Sequence, residues 1–378
     1  MSLFSPVTLR AVTFPNRLVV SPMSQYRSKD GYTNPWHLVH LGRFALGGAG
    51  TVFCEATAVE ERGRRTPGDL GLWSDEQIAG LREITDFIRA EGSVPGIQLA
   101  HAGRKASERR PWHGETPVTQ EDVDLRGEAP WEAIAPSALP YADGWPTPHE
   151  MTREDIQDVV TAFGDAARRS HEAGFEIIEV YAAHGFLLHQ FYSPLANQRT
   201  DEYGGSFENR IRLLIQVADA IRANWPETKP LSFRLSATDW INGGWEIEET
   251  VRLSQILKNH GVDMIDCSSG GIGGRERPRR MTIEQGFQIP FAKQVRQETG
   301  LPTTGVGFIW DAVKANQMIE DGDVDFVALA RELLTDPNWP LHAAKELGLD
   351  PDYALWKPEF GWWLDKRDKL NSKLKFRP

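Results

Sequence analysis

The sequence predicts an α/β protein built as a (β/α)8 TIM barrel. Short apolar segments rich in β-branched residues indicate eight strands, at 18–20, 51–55, 94–99, 177–181, 231–235, 264–267, 302–305 and 326–329. Amphipathic stretches with helical spacing follow them, at 36–46, 75–91, 152–173, 208–224, 246–260, 287–299, 310–321 and 338–347. Eight strand–helix units without a long linker favour a closed barrel over an open doubly wound sheet. That open sheet would carry G-x-G-x-x-G after its first strand, where this chain has S-P-M-S at residues 21–24.

Several predicted elements have recognisable ends. Ser74 and Ser206 stand where helix N-caps are expected, and Gly174 and Gly261 stand where a helix C-terminus favours a left-handed residue. Before the first barrel strand, residues 3–16 alternate loosely and contain Pro and Asn, which predicts an N-terminal hairpin. The barrel is therefore expected to begin near residue 17.

Two segments depart from the repeat of strand and helix. Residues 103–150, rich in Pro, Trp, Gly and charge, separate the third strand from the third helix, and a connection this long predicts a lid or capping insertion. The tail, residues 350–378, carries Trp356, Trp362 and Trp363, so we expect it to pack on its own barrel or on a neighbouring subunit. Residues 1–378 are interpreted as a single domain with these two additions.

Composition excludes several classes of protein. A net charge of −11 disfavours a general nucleic-acid binder, and no segment is apolar for long enough to predict a membrane span. Cys54 and Cys267 are the only cysteines, which excludes a disulfide scaffold, a four-cysteine zinc site and an iron–sulfur module. Residues 1–17 lack the pattern of a signal peptide, so the expected compartment is the cytoplasm.

The stretch 175–210 is the strongest candidate for a site. Tyr181 and His184 directly follow a buried parallel strand, the position where α/β barrels hold their chemistry. The loop at 197–210 combines charges with Gly204-Gly205, and because such a loop is costly to order, we expect it to hold a site in place. An ordinary strand and loop with a hydrogen-bonded histidine is the alternative.

Polar groups recur at the ends of the other predicted strands. Backbone amides after strands seven and eight, near Gly305, Gly307, Ala330 and Arg331, are placed to bind phosphate. Gln98 can donate and accept at a pyrimidine edge, and Arg234 adds a permanent positive charge, although either could instead be a satisfied core residue. These groups predict a phosphorylated planar heterocycle across the barrel mouth. Metal chemistry is not expected, because clustered His and carboxylate ligands are absent at the strand ends.

Several long motifs carry a resemblance to a known family. They are P-N-R-L-V-V-S-P-M-S-Q-Y, E-A-T-A-V, G-I-Q-L-A-H-A-G-R-K-A, D-C-S-S-G, A-R-E-L-L and the stretch 175–210 itself. From about residue 3 to 345 the chain resembles the Old Yellow Enzyme family of FMN-dependent ene-reductases, in the branch of xenobiotic reductases. The resemblance implies non-covalent FMN, reduction by NADH or NADPH, and hydride transfer to an alkene conjugated to a carbonyl or nitro group.

The resemblance also implies roles for particular residues. It places around FMN a set of twelve: Ser21, Pro22, Met23, Ser24, Ala56, Gln98, Arg234, Ser269, Gly305, Gly307, Ala330 and Arg331. Tyr181 and His184 would grip the substrate oxygen, and Tyr26, Phe186 and Trp362 would contact the substrate. Packing alone could equally explain Ala56, and Tyr26 could be only a packed aromatic residue.

Four positions depart from the family pattern. Ser24 stands where this branch has a cysteine beside the flavin, and Tyr181 stands where the first gripping histidine is expected. Phe186 replaces the usual proton-donating tyrosine, so solvent or Tyr26 becomes the expected proton source. Ala330 replaces a glycine next to the phosphate-binding arginine, which requires a negative φ there.

The leading interpretation is a ping-pong reductase of activated alkenes that forms a homodimer or homotetramer. An FMN-dependent oxidase, dehydrogenase or isomerase acting on cyclic enones is the alternative. The loop at 275–280, R-E-R-P-R-R, is a candidate for the 2′-phosphate of NADPH or for an acidic substrate, and a merely solvated charged loop is the other interpretation. Small-molecule partners only are expected, with no nucleic acid and no membrane.

Overall fold

A closed barrel of eight parallel strands forms the centre of the protein, in a computed structural model that describes residues 1–274, 281 and 283–373. The strands are β1 (Leu18–Val20), β2 (Thr51–Ala58), β3 (Val94–Ala100), β4 (Ile177–Ala182), β5 (Leu231–Ser236), β6 (Met264–Ser268), β7 (Thr303–Val306) and β8 (Phe326–Leu329). Each pairs with the next in parallel, and β1 pairs with both β2 and β8. This last pairing closes the sheet, so the predicted barrel is confirmed.

Eight helices surround the barrel close to their predicted positions. They are α1 (Pro35–Leu46), α2 (Ile78–Ala90), α3 (Arg153–Glu172), α4 (Arg212–Asn224), α5 (Ile247–Asn259), α6 (Ile289–Thr299), α7 (Ala312–Glu320) and α8 (Trp339–Glu346). Ser74 and Ser206 act as N-caps, and Gly174 and Gly261 are left-handed at φ +87° and +80°, as predicted.

Some boundaries differ from the prediction for identifiable reasons. The second strand continues past residue 55 to Ala58 across a bulge between Cys54 and Ala56. The seventh begins at Thr303 rather than at 302, directly after Pro302. The helix predicted at 208–224 is divided into Phe207–Arg210 and α4, with Ile211 between them.

In the described part of the chain, four further helices lie outside the predicted helix ranges. They are Gln120–Arg126 in the insertion, Leu187–Tyr192 after β4, Arg331–Thr335 after β8 and Pro358–Asn371 in the tail. The first three have five to seven residues, too few for helical periodicity to be recognised. Among the described helices, none combines the length and the apolar composition that crossing a bilayer requires.

The predicted N-terminal hairpin closes the bottom of the barrel. Its strands, Val7–Leu9 and Val12–Phe14, pair antiparallel, and the rings of Phe14 and Phe326 meet edge to face at 5.2 Å. These residues share one apolar cluster with residues at the beginnings of the barrel strands, including Ile177 and Met264. An apolar floor therefore seals the end of the barrel opposite the predicted site.

The tail meets the barrel through only part of its length. Tyr353 is buried, and Lys357 Nζ lies 2.7 Å from a carboxylate oxygen of Glu91. On the helix that follows, Trp362 and Trp363 remain 53% and 65% exposed. Asp368 of this helix lies 2.8 Å from Lys345 Nζ, so the helix is also attached to the chain while the tryptophan pair lies at its surface.

Candidate active site

A cavity of about 550 Å³ opens at the carboxyl ends of the barrel strands. Many of the predicted site residues line it: Ser21, Pro22, Tyr181, His184, Arg234, Ser269, Gly307, Ala330 and Arg331. They come from six different strands and their following loops, so the closure of the barrel brings together residues more than 300 positions apart. This convergence is what the strand-end pattern predicted.

Other wall residues were not identified from the sequence. Gln288 is a polar member of this group, and its apolar members include Met281, Ile283, Phe287, Phe308 and Trp310. Ser268, which the sequence places at the polar end of strand six, also lines the wall. Gln288 directly precedes α6, whose second residue is a proline. Proline is typical of the first turn of a helix, so the sequence carries a signal that a helix starts beside Gln288. Residues 275–280, the basic loop singled out in the sequence, lie outside the described residues.

The remaining predicted site residues do not form the wall of the cavity. Ala56 and Phe186 pack in a small apolar cluster on which Tyr181 rests, with the rings of Tyr181 and Phe186 4.2 Å apart. A Cβ at Gly305 would meet Ile289, so this glycine permits close packing of α6. The wall does not include Met23, Ser24, Tyr26, Gln98 or, on the tail helix, Trp362.

Tyr181 and His184 hydrogen-bond to each other at the cavity wall. The Tyr181 hydroxyl lies 2.7 Å from His184 Nδ1, and His184 Nε2 lies 2.5 Å from the Ser268 hydroxyl. Burial lowers the pKa of His184 well below its ordinary value, and the nearby Arg234 and Lys105 charges lower it further. Burial also raises the pKa of Tyr181 to about 12. The pair is therefore a neutral imidazole beside a protonated phenol.

The backbone at His184 is fixed from several sides. His184 has a left-handed φ of +54°, and its N–H donates to Ser236 Oγ at 2.9 Å. Lys105 Nζ donates to its carbonyl oxygen at 2.6 Å. The next residue must be glycine, because a Cβ at Gly185 would lie 2.3 Å from the Gly271 carbonyl oxygen. A conformation that costs about 1–3 kcal/mol is thus maintained by its surroundings.

A buried network anchors the turn that follows. The Gly185 N–H donates to His189 Nδ1 at 2.8 Å, and His189 Nε2 lies 2.8 Å from Asp239 Oδ1. Ser193 Oγ donates to the other oxygen of Asp239 at 2.7 Å. This network joins the turn after β4 to the loop after β5, which gives the short helix Leu187–Tyr192 a structural role.

The loop at 197–210 supports the insertion. Arg199 Nη1 donates to the carbonyl oxygens of Met151 and Pro136, at 2.6 and 3.0 Å, and the Gln198 N–H donates to Ser137 Oγ. None of its residues is in the cavity wall. The loop therefore contributes to the site indirectly, by holding the insertion in place.

The insertion donates hydrogen bonds to three of the loops around the cavity. Besides the Lys105 contact with His184, Arg104 Nη2 donates to the Ile272 carbonyl oxygen at 2.8 Å. Arg110 Nε donates to the carbonyl oxygen of Tyr26, a left-handed residue whose ring meets Trp112 edge to face at 5.7 Å. The predicted lid is thus docked on the loops that follow β1, β4 and β6.

A buried polar layer lies between the apolar floor and the cavity. Because side chains alternate along a strand, Glu179 projects between Ile177 and Tyr181, and Asp266 projects between Met264 and Ser268. Gln98 Nε2 donates to Glu179 Oε1 at 2.7 Å, Glu179 hydrogen-bonds Asp266, and Arg234 Nε lies 3.6 Å from Asp266 Oδ1. Burial raises the pKa of both carboxyls, that of Glu179 to about 8. The layer consequently holds a proton at neutral pH.

The cavity has the features of a site for a phosphorylated planar group. Among the buried polar atoms without a hydrogen-bond partner in the described chain are Ser21 Oγ and Arg234 Nε. The Arg331 guanidinium lies over the Phe308 ring at 4.4 Å, at the start of the helix Arg331–Thr335. Ala330 has φ −128°, the negative value that its replacement of glycine required. Fold and cavity together define a barrel enzyme that binds a phosphorylated ring cofactor.

Comparisons of sequence identify the family. Residues 2–350 match the NADH:flavin oxidoreductase / NADH oxidase family. An NADPH dehydrogenase of Geobacillus thermodenitrificans is 43% identical over 362 residues, which cover 95% of this chain and 98% of that protein. An NADH:flavin oxidoreductase of Gibberella zeae is 44% identical over 385 residues, which cover 98% of this chain and 91% of that protein.

Solved structures share the fold. Morphinone reductase in complex with tetrahydroNAD is 26% identical with a TM-score of 0.72, and the match covers 92% of this chain and 91% of that one. A 2-naphthoyl-CoA reductase in complex with 2-naphthoyl-CoA is 24% identical with a TM-score of 0.81 over 91% of this chain, which spans about half (52%) of that longer chain. The chain belongs to the matched family, the Old Yellow Enzyme family, and is an FMN-linked oxidoreductase with NADH or NADPH as reductant.

We expect the Glu179 carboxyl to make the stability of the fold decrease as the pH rises. Its pKa rises from 4.5 to about 8 on folding, so between these values the folded state binds more protons than the unfolded state. Its contribution is complete below pH 4.5 and is lost as the pH rises through about 8. The melting temperature of the FMN-loaded parent should therefore fall relative to that of Glu179→Gln across this range.

Val180→Ala is the matched control for this measurement, since it alters the neighbouring buried residue of β4 and removes no titrating group. Its melting temperature should change with pH in parallel with that of the parent. A difference between parent and Glu179→Gln that stays constant with pH would show that Glu179 is ionised in the fold.

Proposed function

We propose that this protein reduces the C=C bond of α,β-unsaturated carbonyl or nitro compounds, with NAD(P)H and the alkene occupying the same cavity in turn. Bound FMN, held non-covalently, supplies the hydride-transfer chemistry between them. The observation that carries the proposal is the protonated Tyr181 phenol beside a neutral His184 at the cavity wall. A reduced alkene leaves charge on its carbonyl oxygen, and a phenol is a suitable donor to that oxygen.

The family residues at the cavity are proposed to hold FMN in three groups. Ser21, Pro22, Met23, Ser24 and Ala56 would contact the ring system. Gln98 and Arg234 would face its pyrimidine side, where the Arg234 guanidinium at the cavity wall supplies a positive charge. Ser269, Gly305, Gly307, Ala330 and Arg331 would surround the phosphate, which the guanidinium of Arg331 suits by charge.

Tyr181 and His184 are proposed to stabilise the developing enolate. A preorganised donor at such an oxygen contributes roughly 2.7–4 kcal/mol to the transition state. The contact of Tyr181 with Phe186 and the contacts of His184 with Ser236 and Lys105 support this role, because they fix the Tyr181 ring and the His184 backbone before a ligand enters. The substrate would pack against Tyr26 and Phe186.

The proton for the α-carbon is proposed to come from solvent or from Tyr26. Phe186 has no proton to donate at the family's usual donor position. Burial raises the pKa of Tyr26 to about 12, so its phenol keeps the proton until a stronger base forms beside it. A donor this weakly acidic is suited to an enolate carbon and not to a neutral ligand.

The exposed tail helix is proposed to meet a second copy of the chain in a homodimer or homotetramer. Trp362 and Trp363 lie beside Phe360, which is itself 48% exposed, so the single chain leaves three large aromatic residues in contact with water. Covering them against another subunit would remove this apolar surface and bring Trp362 to the partner's cavity.

Arg331→Ala should weaken FMN binding by about 10- to 150-fold, because a hydrogen bond to a charged group contributes roughly 1.5–3 kcal/mol. The measurement is FMN released from diluted enzyme, quantified by fluorescence after ultrafiltration. Arg331→Lys keeps the charge and should lose less. Arg252→Ala is the matched control, since Arg252 also lies over a phenylalanine ring, at 4.1 Å, but on the outer helix α5. Equal FMN loss in both alanine variants would contradict the assignment.

Tyr181→Phe should slow the turnover of cyclohexenone by about 10²-fold or more, because it removes the donor to the enolate oxygen. The anaerobic loss of flavin absorbance on adding NADPH should change less. Tyr203→Phe is the control, because Tyr203 is buried and its hydroxyl donates to Gln216, away from the cavity wall. Normal turnover by Tyr181→Phe would refute the role of this phenol, and reoxidation by oxygen alone would favour an oxidase.

Truncation after Tyr353 should reduce both the mass in solution and the affinity for cyclohexenone. It also removes Asp368, which bonds Lys345 and Tyr353 within the chain, so Trp362→Ala combined with Trp363→Ala is the sharper variant. Leu370→Ala, 64% exposed on the same helix, is the control. Light scattering and the KM for cyclohexenone measure the two effects. Unchanged mass and KM in the double variant would rule out the proposed contact.

A further inference from the structure

The hydrogen bonds around His184 have a direction that can be worked out. A neutral imidazole has one N–H donor and one bare acceptor nitrogen, so its two bonds must run in opposite senses. Nδ1 meets the Tyr181 hydroxyl and Nε2 meets the Ser268 hydroxyl. Either hydroxyl could donate or accept, and therefore the direction is decided by what lies beyond Ser268.

Gln288 decides the direction of the Ser268 hydroxyl. The amide nitrogen of Gln288 donates to the Val306 carbonyl oxygen at 3.2 Å, which turns the amide oxygen towards the two serines. That oxygen accepts from Ser268 Oγ at 3.2 Å and from Ser269 Oγ at 2.7 Å. With its only hydrogen given to Gln288, Ser268 can meet His184 only as an acceptor.

The remaining directions follow from this one. His184 carries its hydrogen on Nε2 and donates it to Ser268, so Nδ1 is bare and accepts the phenol hydrogen of Tyr181. In this arrangement the Tyr181 oxygen offers the cavity a lone pair. It suits a ligand with an N–H or O–H donor, such as a carboxamide, and it offers no hydrogen to a carbonyl oxygen.

We propose that Ser268 and Gln288 are positioning residues that set the tautomer of His184, and through it decide whether Tyr181 accepts from a ligand or donates to one. Binding of a carbonyl ligand moves the imidazole hydrogen from Nε2 to Nδ1. One proton leaves Nε2 and one arrives at Nδ1 through cavity water, with no net change in charge. His184 then donates to the Tyr181 oxygen, the phenol hydrogen turns to the ligand, and the Ser268 hydroxyl turns from Gln288 to Nε2.

This inference rests on the proposed function, since that function requires a donor to the ligand oxygen. It adds that the two kinds of ligand used in turn, a carboxamide donor and a carbonyl acceptor, require opposite hydrogen-bonding states of Tyr181. The Ser268–Gln288 contact favours the first state, and the carbonyl ligand must displace it.

The experiment is ¹⁵N NMR of histidine-labelled, FMN-loaded enzyme, in which pyrrole-type and pyridine-type ring nitrogens are distinct. His184 is assigned by the signal that disappears in His184→Gln. The free parent should carry hydrogen on Nε2, and saturating cyclohexanone, a ketone without an alkene to reduce, should move it to Nδ1. A free parent with hydrogen on Nδ1, or a ketone complex that keeps it on Nε2, would overturn the proposal.

Variants at the serines provide the second measurement. Ser268→Ala leaves Nε2 without an acceptor, so His184 should carry hydrogen on Nδ1 even without ligand. The variant should then bind cyclohexanone about two- to tenfold more tightly, the range for one neutral hydrogen bond. Ser268→Thr restores the hydroxyl and should restore the parent tautomer. Ser269→Ala, which loses a bond to the same amide oxygen but no contact with His184, should leave the tautomer as in the parent.

These outcomes separate the inference from the proposed function. An enzyme that fails to reduce cyclohexenone but whose His184 changes tautomer in Ser268→Ala refutes the reaction and keeps the positioning role. Efficient reduction with the same His184 tautomer in parent and Ser268→Ala refutes the positioning role and keeps the reaction.

Discussion

Strict alternation of side chains along the barrel strands is the constraint on which the rest of the structure depends. Every second residue of a barrel strand points inwards, so one strand supplies the floor, the middle and the mouth in steps of two. On β4 these residues are Ile177, Glu179 and Tyr181, and on β6 they are Met264, Asp266 and Ser268. A shift of either strand by one residue would turn its polar residues into the helix layer and its apolar ones into the cavity. The register of pairing and the composition of the site are therefore a single property.

The same alternation places charge where water cannot reach it. Glu179, Asp266 and Arg234 are each less than 10% exposed, and an uncompensated charge at such a position would cost several kcal/mol. Two adjacent carboxyls that hold one proton between them balance a single guanidinium, so the layer is close to neutral. Arg234 is then oriented by Asp266 from below, with its Nε 3.6 Å from Asp266 Oδ1, while the residue forms part of the cavity wall. This buried polar layer lies beneath the cavity, and the neutral pair of Tyr181 and His184 lies above the layer at the cavity wall.

The sequence predicted the parts of this structure that depend on periodic patterns. Strand identity followed from β-branched runs, and the convergence of Ser21, Arg234 and Arg331 followed from their positions at strand ends. Gln288 was missed because a single polar residue before a helix has no period and no partner nearby in sequence. The short helix Leu187–Tyr192 was not predicted because its six residues are too few for helical periodicity to be recognised. The mutual contact of Tyr181 and His184 depends on the left-handed backbone at His184, which only the packing of Gly185 against Gly271 reveals.

The insertion holds the loops of the site through their main chain. Arg104, Lys105 and Arg110 all donate to backbone carbonyl oxygens, those of Ile272, His184 and Tyr26. A carbonyl oxygen is present whatever side chain its residue bears, so these hydrogen bonds do not depend on the identity of the loop residues. Loop side chains can therefore be exchanged in evolution, or by design, without releasing the insertion from the barrel. An enzyme attached in this way can acquire a new substrate range by replacing residues at its rim while the scaffold that orders that rim stays the same.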